Sequence, residues 1–121
     1  MAAILIVEDE EPVRSFLAML LEDAGHRVLQ AIHGAQGIEL VEKERPDLVI
    51  ADIMMPVLNG RELCRRLKAE AGTRAIPVIL MSAAGQRAAD GAGADAFIAK
   101  PFTLEEVEAL VQRWLPPEPP W

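Results

Sequence analysis

The chain has 121 residues, 51% apolar and 26% charged, with a formal net charge of −7. That length allows one domain with a real core and is too short for two. The acidic balance and scattered basic residues exclude a nucleic-acid footprint. The apolar runs fall far short of the ~18–20 residues of a membrane span, and Met1–Val7 shows no secretory signal. The single cysteine, Cys64, excludes an internal disulfide. These features predict a cytoplasmic protein with no membrane and no direct nucleic-acid partner.

Ala3–Val7 reads as a strand apolar on both faces, and it stops against four acids, Glu8, Asp9, Glu10 and Glu11. From Pro12 the apolar positions Val13, Phe16, Leu17, Leu20, Leu21 and Ala24 follow helical spacing, with Pro12 suited to the start and Gly25 to the stop. His26–Ala31 is a second strand, Ala35–Arg45 a helix ended by Pro46, and Asp47–Ile53 a third strand. Met54–Asn59 is a loop with turn signals at Pro56 and Asn59–Gly60. Arg61–Ala71 is a helix stopped by Gly72, with Cys64 facing inward as a small hydrophobe. Ile76–Met81 and Ala96–Ala99 are strands four and five.

Thr103 opens a last helix through the capping-box pattern TLEE, with the apolar stripe Leu104, Val107, Leu110, Val111, Trp114 and Leu115. The ending PPEPP is stiff and non-helical. The expected organisation is a domain over 1–115 and a Pro-rich tail over 116–121. His26 and His33 lack metal-ligand partners at suitable spacing and read as surface residues, and nothing in the sequence explains Trp121.

Near-continuously apolar strands alternating with helices imply a doubly wound α/β fold, its parallel sheet covered on both faces. Function then gathers at the carboxyl ends of the strands. Those ends carry Glu8 and Asp9, Asp52, Ser82, and Lys100 before Pro101. Each alone is unremarkable, since an Asp at a strand end is usually a helix cap. Together they bring carboxylates, a hydroxyl and an ammonium to one edge, which suits phosphoryl transfer. The carboxylates form a hard oxygen site for Mg²⁺, an aspartate can attack phosphorus, and the lysine and hydroxyl can hold phosphoryl oxygens.

The segments ILIVEDE, DLVIADIMMPVLNG, PVILMSA and GADAFIAKPF resemble, in order and along essentially the whole chain, the receiver domain of two-component response regulators, the CheY-like family. The resemblance implies a CheY-like (flavodoxin-like) five-stranded parallel sheet in the order 2-1-3-4-5 with five flanking helices. It implies Asp52 as phosphoacceptor. Mg²⁺, with Mn²⁺ as a possible substitute, would be held by Asp9, Asp52 and the backbone carbonyl of Met54, with Glu8 helping through water. Ser82 and Lys100 would bind phosphoryl oxygens, Phe97 would occupy the aromatic switch position, and the Lys100–Pro101 peptide would be cis. Such a domain is a phosphoacceptor rather than an enzyme in its own right. Its implied partners are a histidine kinase or histidine phosphotransfer protein and an unknown downstream protein, and it would be a monomer or weak dimer.

Two features depart from the family pattern. Ser82 and Lys100 are 18 positions apart, about four residues closer than usual. The intervening Ala83–Asp95 holds six Ala and three Gly and no large apolar side chain, so the fourth helix is expected to be short, displaced or mobile. Met54 and Ala84, two residues beyond Asp52 and Ser82, cannot orient an attacking water, which predicts a long-lived phosphoryl group. The complete set of Asp9, Asp52, Ser82 and Lys100 argues against the competing reading, an unphosphorylated interaction module of the same fold. A phosphatase is disfavoured because Met54 stands where its acid catalyst would be needed.

Overall fold

The computed structural model describes residues 2–116; the tail beyond them, with Trp121, lies outside the described residues. The elements run β1 (Ala3–Val7), α1 (Glu11–Asp23), β2 (Arg27–Ala31), α2 (Gly34–Glu44), β3 (Leu48–Asp52), α3 (Gly60–Ala69), β4 (Val78–Ser82), a 3₁₀ turn (Gln86–Ala89), β5 (Ala96–Ala99) and α4 (Leu104–Trp114). All four strand pairings are parallel, as the sequence pattern implied, and the sheet order is β2-β1-β3-β4-β5, as the family resemblance implied.

The alternation of strand side chains divides the core into two layers. Leu5, Val7, Val49, Ala51, Val78 and Leu80 face one side, where Val41 of α2 and Leu63, Cys64 and Leu67 of α3 cover them. Ile4, Ile6, Leu48, Ile50, Ile79 and Met81 face the other, against Leu17 and Leu21 of α1 and Val107 and Val111 of α4. Every residue of β3 and β4 is buried, so these central strands fix the position of whatever follows them.

Several element limits differ from the sequence reading. The fourth strand begins at Val78 rather than Ile76, because Pro77 has no N–H for the ladder and joins it only as acceptor to the Val49 amide, 3.0 Å away. It extends to Ser82, which is therefore a strand residue. Helix α3 ends at Ala69 rather than Ala71, since Glu70 is extended and the Thr73 hydroxyl donates to the Leu67 carbonyl at 2.6 Å, tying off the last turn. Thr103 and Glu106 form the expected capping box, but Leu104 remains exposed. Phe16 likewise emerges from the α1 stripe and stacks on Phe102 with ring centroids 6.5 Å apart. His33 is no idle surface residue: its Nδ1 accepts from the Gln36 amide at 3.1 Å and caps α2. His26 is half-buried, its Nδ1 enclosed without a hydrogen-bond partner among the described residues.

Between β4 and β5 the fourth helix is reduced to the single 3₁₀ turn, leaving four α-helices among the described residues. Polar ties add to the packing of small side chains, Ala88, Ala89 and Ala94, against the core there. Arg61 Nη2 donates to the Asp90 carbonyl at 2.6 Å, and Lys68 Nζ lies 2.7 Å from the Asp95 carboxylate. Ala92 supplies the buried contact.

Candidate functional site

Register places the chemistry. Val7 pairs with Ala51, so the next residues, Glu8 and Asp52, leave adjacent strands side by side. Ser82 pairs with Ala99, and the Lys100 amide donates to the Ser82 carbonyl at 3.0 Å, which sets Lys100 just past the edge strand. The carboxylates of Glu8, Asp9 and Asp52 each offer an oxygen within 4.8 Å of the others. Lys100 reaches into this cluster, its Nζ 2.7 Å from Glu8 Oε1, 3.1 Å from Asp52 Oδ1 and 3.7 Å from Glu10 Oε1.

Glu8 and Asp52 are buried while Asp9 is exposed. Burial is the main influence on both buried carboxyls and pushes their pKa values up, against the opposing pull of the Lys100 ammonium. Burial pulls the Lys100 pKa down, but its contacts with Glu8 and Asp52 outweigh that and leave it raised. Three carboxylates facing one ammonium leave two net negative charges on hard oxygen ligands, which fits a divalent cation of the Mg²⁺ type.

The surrounding backbone is built to hold this arrangement. The Gly60 amide donates to the Ile53 carbonyl at 3.1 Å and folds the loop after Asp52 back against the strand end. Within that loop Met54 is exposed, and Leu58 N donates to the Pro56 carbonyl at 2.8 Å around Val57, whose φ of 69° is left-handed. Ser82 is buried and its Oγ accepts from the Ala84 amide at 2.9 Å. Phe97 is half-buried on the α2/α3 side of the sheet. The Lys100–Pro101 peptide is cis.

The structure thus brings Glu8, Asp9, Asp52 and Lys100 together, with Ser82 at the neighbouring strand end. Two participants escaped the sequence reading. Glu10 approaches Lys100 and donates its amide to Glu8 Oε2 at 3.2 Å. Arg14 Nη1 donates to the Glu8 carbonyl at 2.9 Å. The available signal was a cation in the first turns of α1, where the helix dipole favours the opposite charge. Beside the cluster, Pro12, Val13, Phe16, Ala83, Pro101 and Phe102 line an open apolar cup of about 420 Å³ that shares Lys100 with it.

Comparison with known proteins agrees with this geometry. Residues 4–112 match the model of the response regulator receiver domain. The chain is 41% identical over 113 residues to the phosphate regulon transcriptional regulatory protein PhoB of Pseudomonas aeruginosa, covering 90% of this chain and 49% of PhoB. It is 37% identical over 120 residues to the DNA-binding dual master transcriptional regulator RpaA of Synechocystis, covering 95% and 49%. The chain thus spans about half the length of these curated relatives. Among solved structures, the receiver domain of a signal transduction histidine kinase from Syntrophus aciditrophicus superposes with a TM-score of 0.91 at 34% identity, covering 95% of this chain and 90% of that one. The receiver domain of the sensor histidine kinase PA1611 from Pseudomonas aeruginosa, with a magnesium ion coordinated in its active site cleft, gives 0.87 at 32% identity, covering 93% and 96%. Fold, strand-end cluster and sequence agree: the chain belongs to the response regulator receiver domain family.

Proposed function

We propose that residues 1–115 form a phosphorylatable receiver that accepts a phosphoryl group on Asp52 and changes its partner-binding surface in response. The observation that carries this reading is the Asp52 carboxylate at the end of a fully buried strand, 3.1 Å from the Lys100 ammonium and within 4.8 Å of two further carboxylates. Asp9, Asp52 and the Met54 carbonyl would hold Mg²⁺, with Glu8 adding its charge. When bound, the cation would neutralise the carboxylates and polarise phosphoryl oxygens.

An Asp52 oxygen attacks phosphorus, an acyl phosphate forms, and the donor's P–N bond breaks with the electron pair leaving on the imidazole. Lys100 balances the charge of one phosphoryl oxygen and the Ser82 hydroxyl hydrogen-bonds another. Drawing Ser82 toward the phosphoryl group biases the segment that follows it and Phe97 on the edge strand, a population shift between two surfaces. The apolar cup beside Lys100 offers a histidine kinase or phosphotransfer protein a place to rest while its phosphohistidine faces Asp52. Neither Met54 nor Ala84 can activate a water, so the acyl phosphate is long-lived.

Phosphorylation with a small acyl phosphate in the presence of Mg²⁺, followed by hydroxylamine, tests this. The incorporated phosphate should be released by hydroxylamine, as an acyl phosphate is, and be absent from Asp52→Asn; a hydroxylamine-stable label would sink the reading. The shortened segment between Ser82 and Lys100 favours a second reading, an interaction module that is not phosphorylated. Failure to incorporate phosphate under any donor or metal would support it.

A further inference from the structure

We propose that Arg61 couples the Asp52 strand end to the segment standing in place of the fourth helix, and that this segment closes when the site is occupied. This rests on the receiver reading above. Gly60 packs so closely on the Asp52 backbone that an added Cβ would lie 2.9 Å from the Asp52 carbonyl carbon, and its amide donates to the Ile53 carbonyl at 3.1 Å. The first turn of α3 is thereby fixed to the strand end, and the Asn59 side chain caps it by accepting from the Glu62 amide at 2.9 Å. Arg61, the next residue of that turn, reaches 29 positions along the chain and donates from Nη2 to the Asp90 carbonyl at 2.6 Å.

This contact is balanced between two arrangements. Arg61 is half-buried and its Nε is enclosed with no hydrogen-bond partner among the described residues, a cost that ends when the guanidinium swings into water. Against that cost stands the Nη2 bond. A Cβ at Gly91 would lie 3.8 Å from the same nitrogen, so the guanidinium sits over the turn at Asp90–Gly91, where Gly91 has a left-handed φ of 76°. The turn Gln86–Ala89 buries no residue, so little packing opposes its opening. A strand end held by a bound cation and phosphoryl group keeps the first turn of α3 in register with Asp90 and favours the closed arrangement. A displaced turn favours the open one. The link leaves from the end of β3 through α3, separately from the Ser82 end of β4.

Amide exchange over Gln86–Gly91 reads the opening equilibrium. Incubation with Mg²⁺ and a small acyl phosphate, with occupancy followed by intact mass, should slow this exchange by about threefold or more in the wild type and leave it unchanged in phosphorylated Arg61→Ala. A metal-free arm tests the same link without the phosphoryl chemistry: Gly60→Ala should speed the exchange by about threefold or more, and add nothing further in the Arg61→Ala background. Equal slowing in phosphorylated Arg61→Ala would place the route through Ser82 and overturn the proposal. A phosphorylated wild type whose segment exchanges unchanged, or equal acceleration by Gly60→Ala with and without Arg61, would overturn it as well. Absence of a phosphoryl adduct would count against the receiver reading alone, and the Gly60→Ala comparison would then decide the role of Arg61. Where Gly60→Ala does not fold, the phosphorylation arm decides it.

Discussion

The α-carbon of Gly60 rests directly against the backbone carbonyl of Asp52. A Cβ at Gly60 would meet that oxygen, and would lie 2.9 Å from the Asp52 carbonyl carbon and 3.0 Å from the Ile53 α-carbon. All three are backbone atoms of a buried strand end and cannot rotate aside. Gly60→Ala should therefore cost about 1–3 kcal/mol, the usual cost of overpacking, and displace Asp52. Urea denaturation checks the stability, and a wild-type midpoint in Gly60→Ala would show that the strand end yields.

Val57 is the opposite case, a residue strained without packing. It is 88% exposed, and at φ 69° it occupies the centre of the Pro56–Leu58 turn. Left-handed backbone costs a side-chain-bearing residue on the order of 1–2 kcal/mol, and β-branched residues tolerate it least. Asn adopts this region more readily, so Val57→Asn should raise stability by about 1 kcal/mol. A lower urea midpoint would contradict this.

The buried carboxyls give a pH dependence whose sign is fixed. Glu8 and Asp52 have folded pKa values raised above their ordinary 4.5 and 3.8, chiefly by burial. Over the window that opens near those values and closes above them, the folded state binds more protons than the unfolded one, so their contribution to stability falls as pH rises. Lys100, also raised, contributes stability that persists to its ordinary 10.5 and is lost above it. The metal-free protein should therefore be less stable at about pH 7 than at about pH 5, and Mg²⁺ should stabilise it more at the higher pH, where the carboxylates are ionised. Denaturation at both pH values with and without Mg²⁺ measures this. A metal-free stability that rises between them would show the contribution has the wrong sign.

The segment in place of the fourth helix should open easily. Its 3₁₀ turn Gln86–Ala89 buries no residue, while neighbouring β4 is buried throughout. Amide exchange should be fast across Gln86–Gly91 and slow in Val78–Ser82, and Arg61→Ala should speed it further by freeing the Asp90 carbonyl. Strong protection over Gln86–Gly91 would contradict this account.

What the sequence revealed, and what it withheld, follows from the range of each interaction. The strands were legible because buried parallel strands are apolar along their length; their order was legible only through the family resemblance that four motifs at strand ends carry. The shortened fourth helix was legible from the short spacing between Ser82 and Lys100 together with the Ala- and Gly-rich composition between them. Leu104 and Phe16 were misread because helical periodicity says nothing of where a helix runs out of core to cover. The link between Glu8 and Lys100, 92 positions apart, depends on register and on a side-chain rotamer. The acids after β1 illustrate this: their charge pointed to a cation, whereas the structure shows one of them taken up by a lysine. Arg14 was missed for the same reason, its target being a backbone carbonyl.

The central claim is that Asp52 takes a phosphoryl group in this site. Intact mass after incubation with Mg²⁺ and a small acyl phosphate tests it most directly. The account predicts one added phosphoryl group in the wild type, persisting for minutes after the donor is removed, and none in Asp52→Asn. No adduct in the wild type, or an equal adduct in Asp52→Asn, would contradict it.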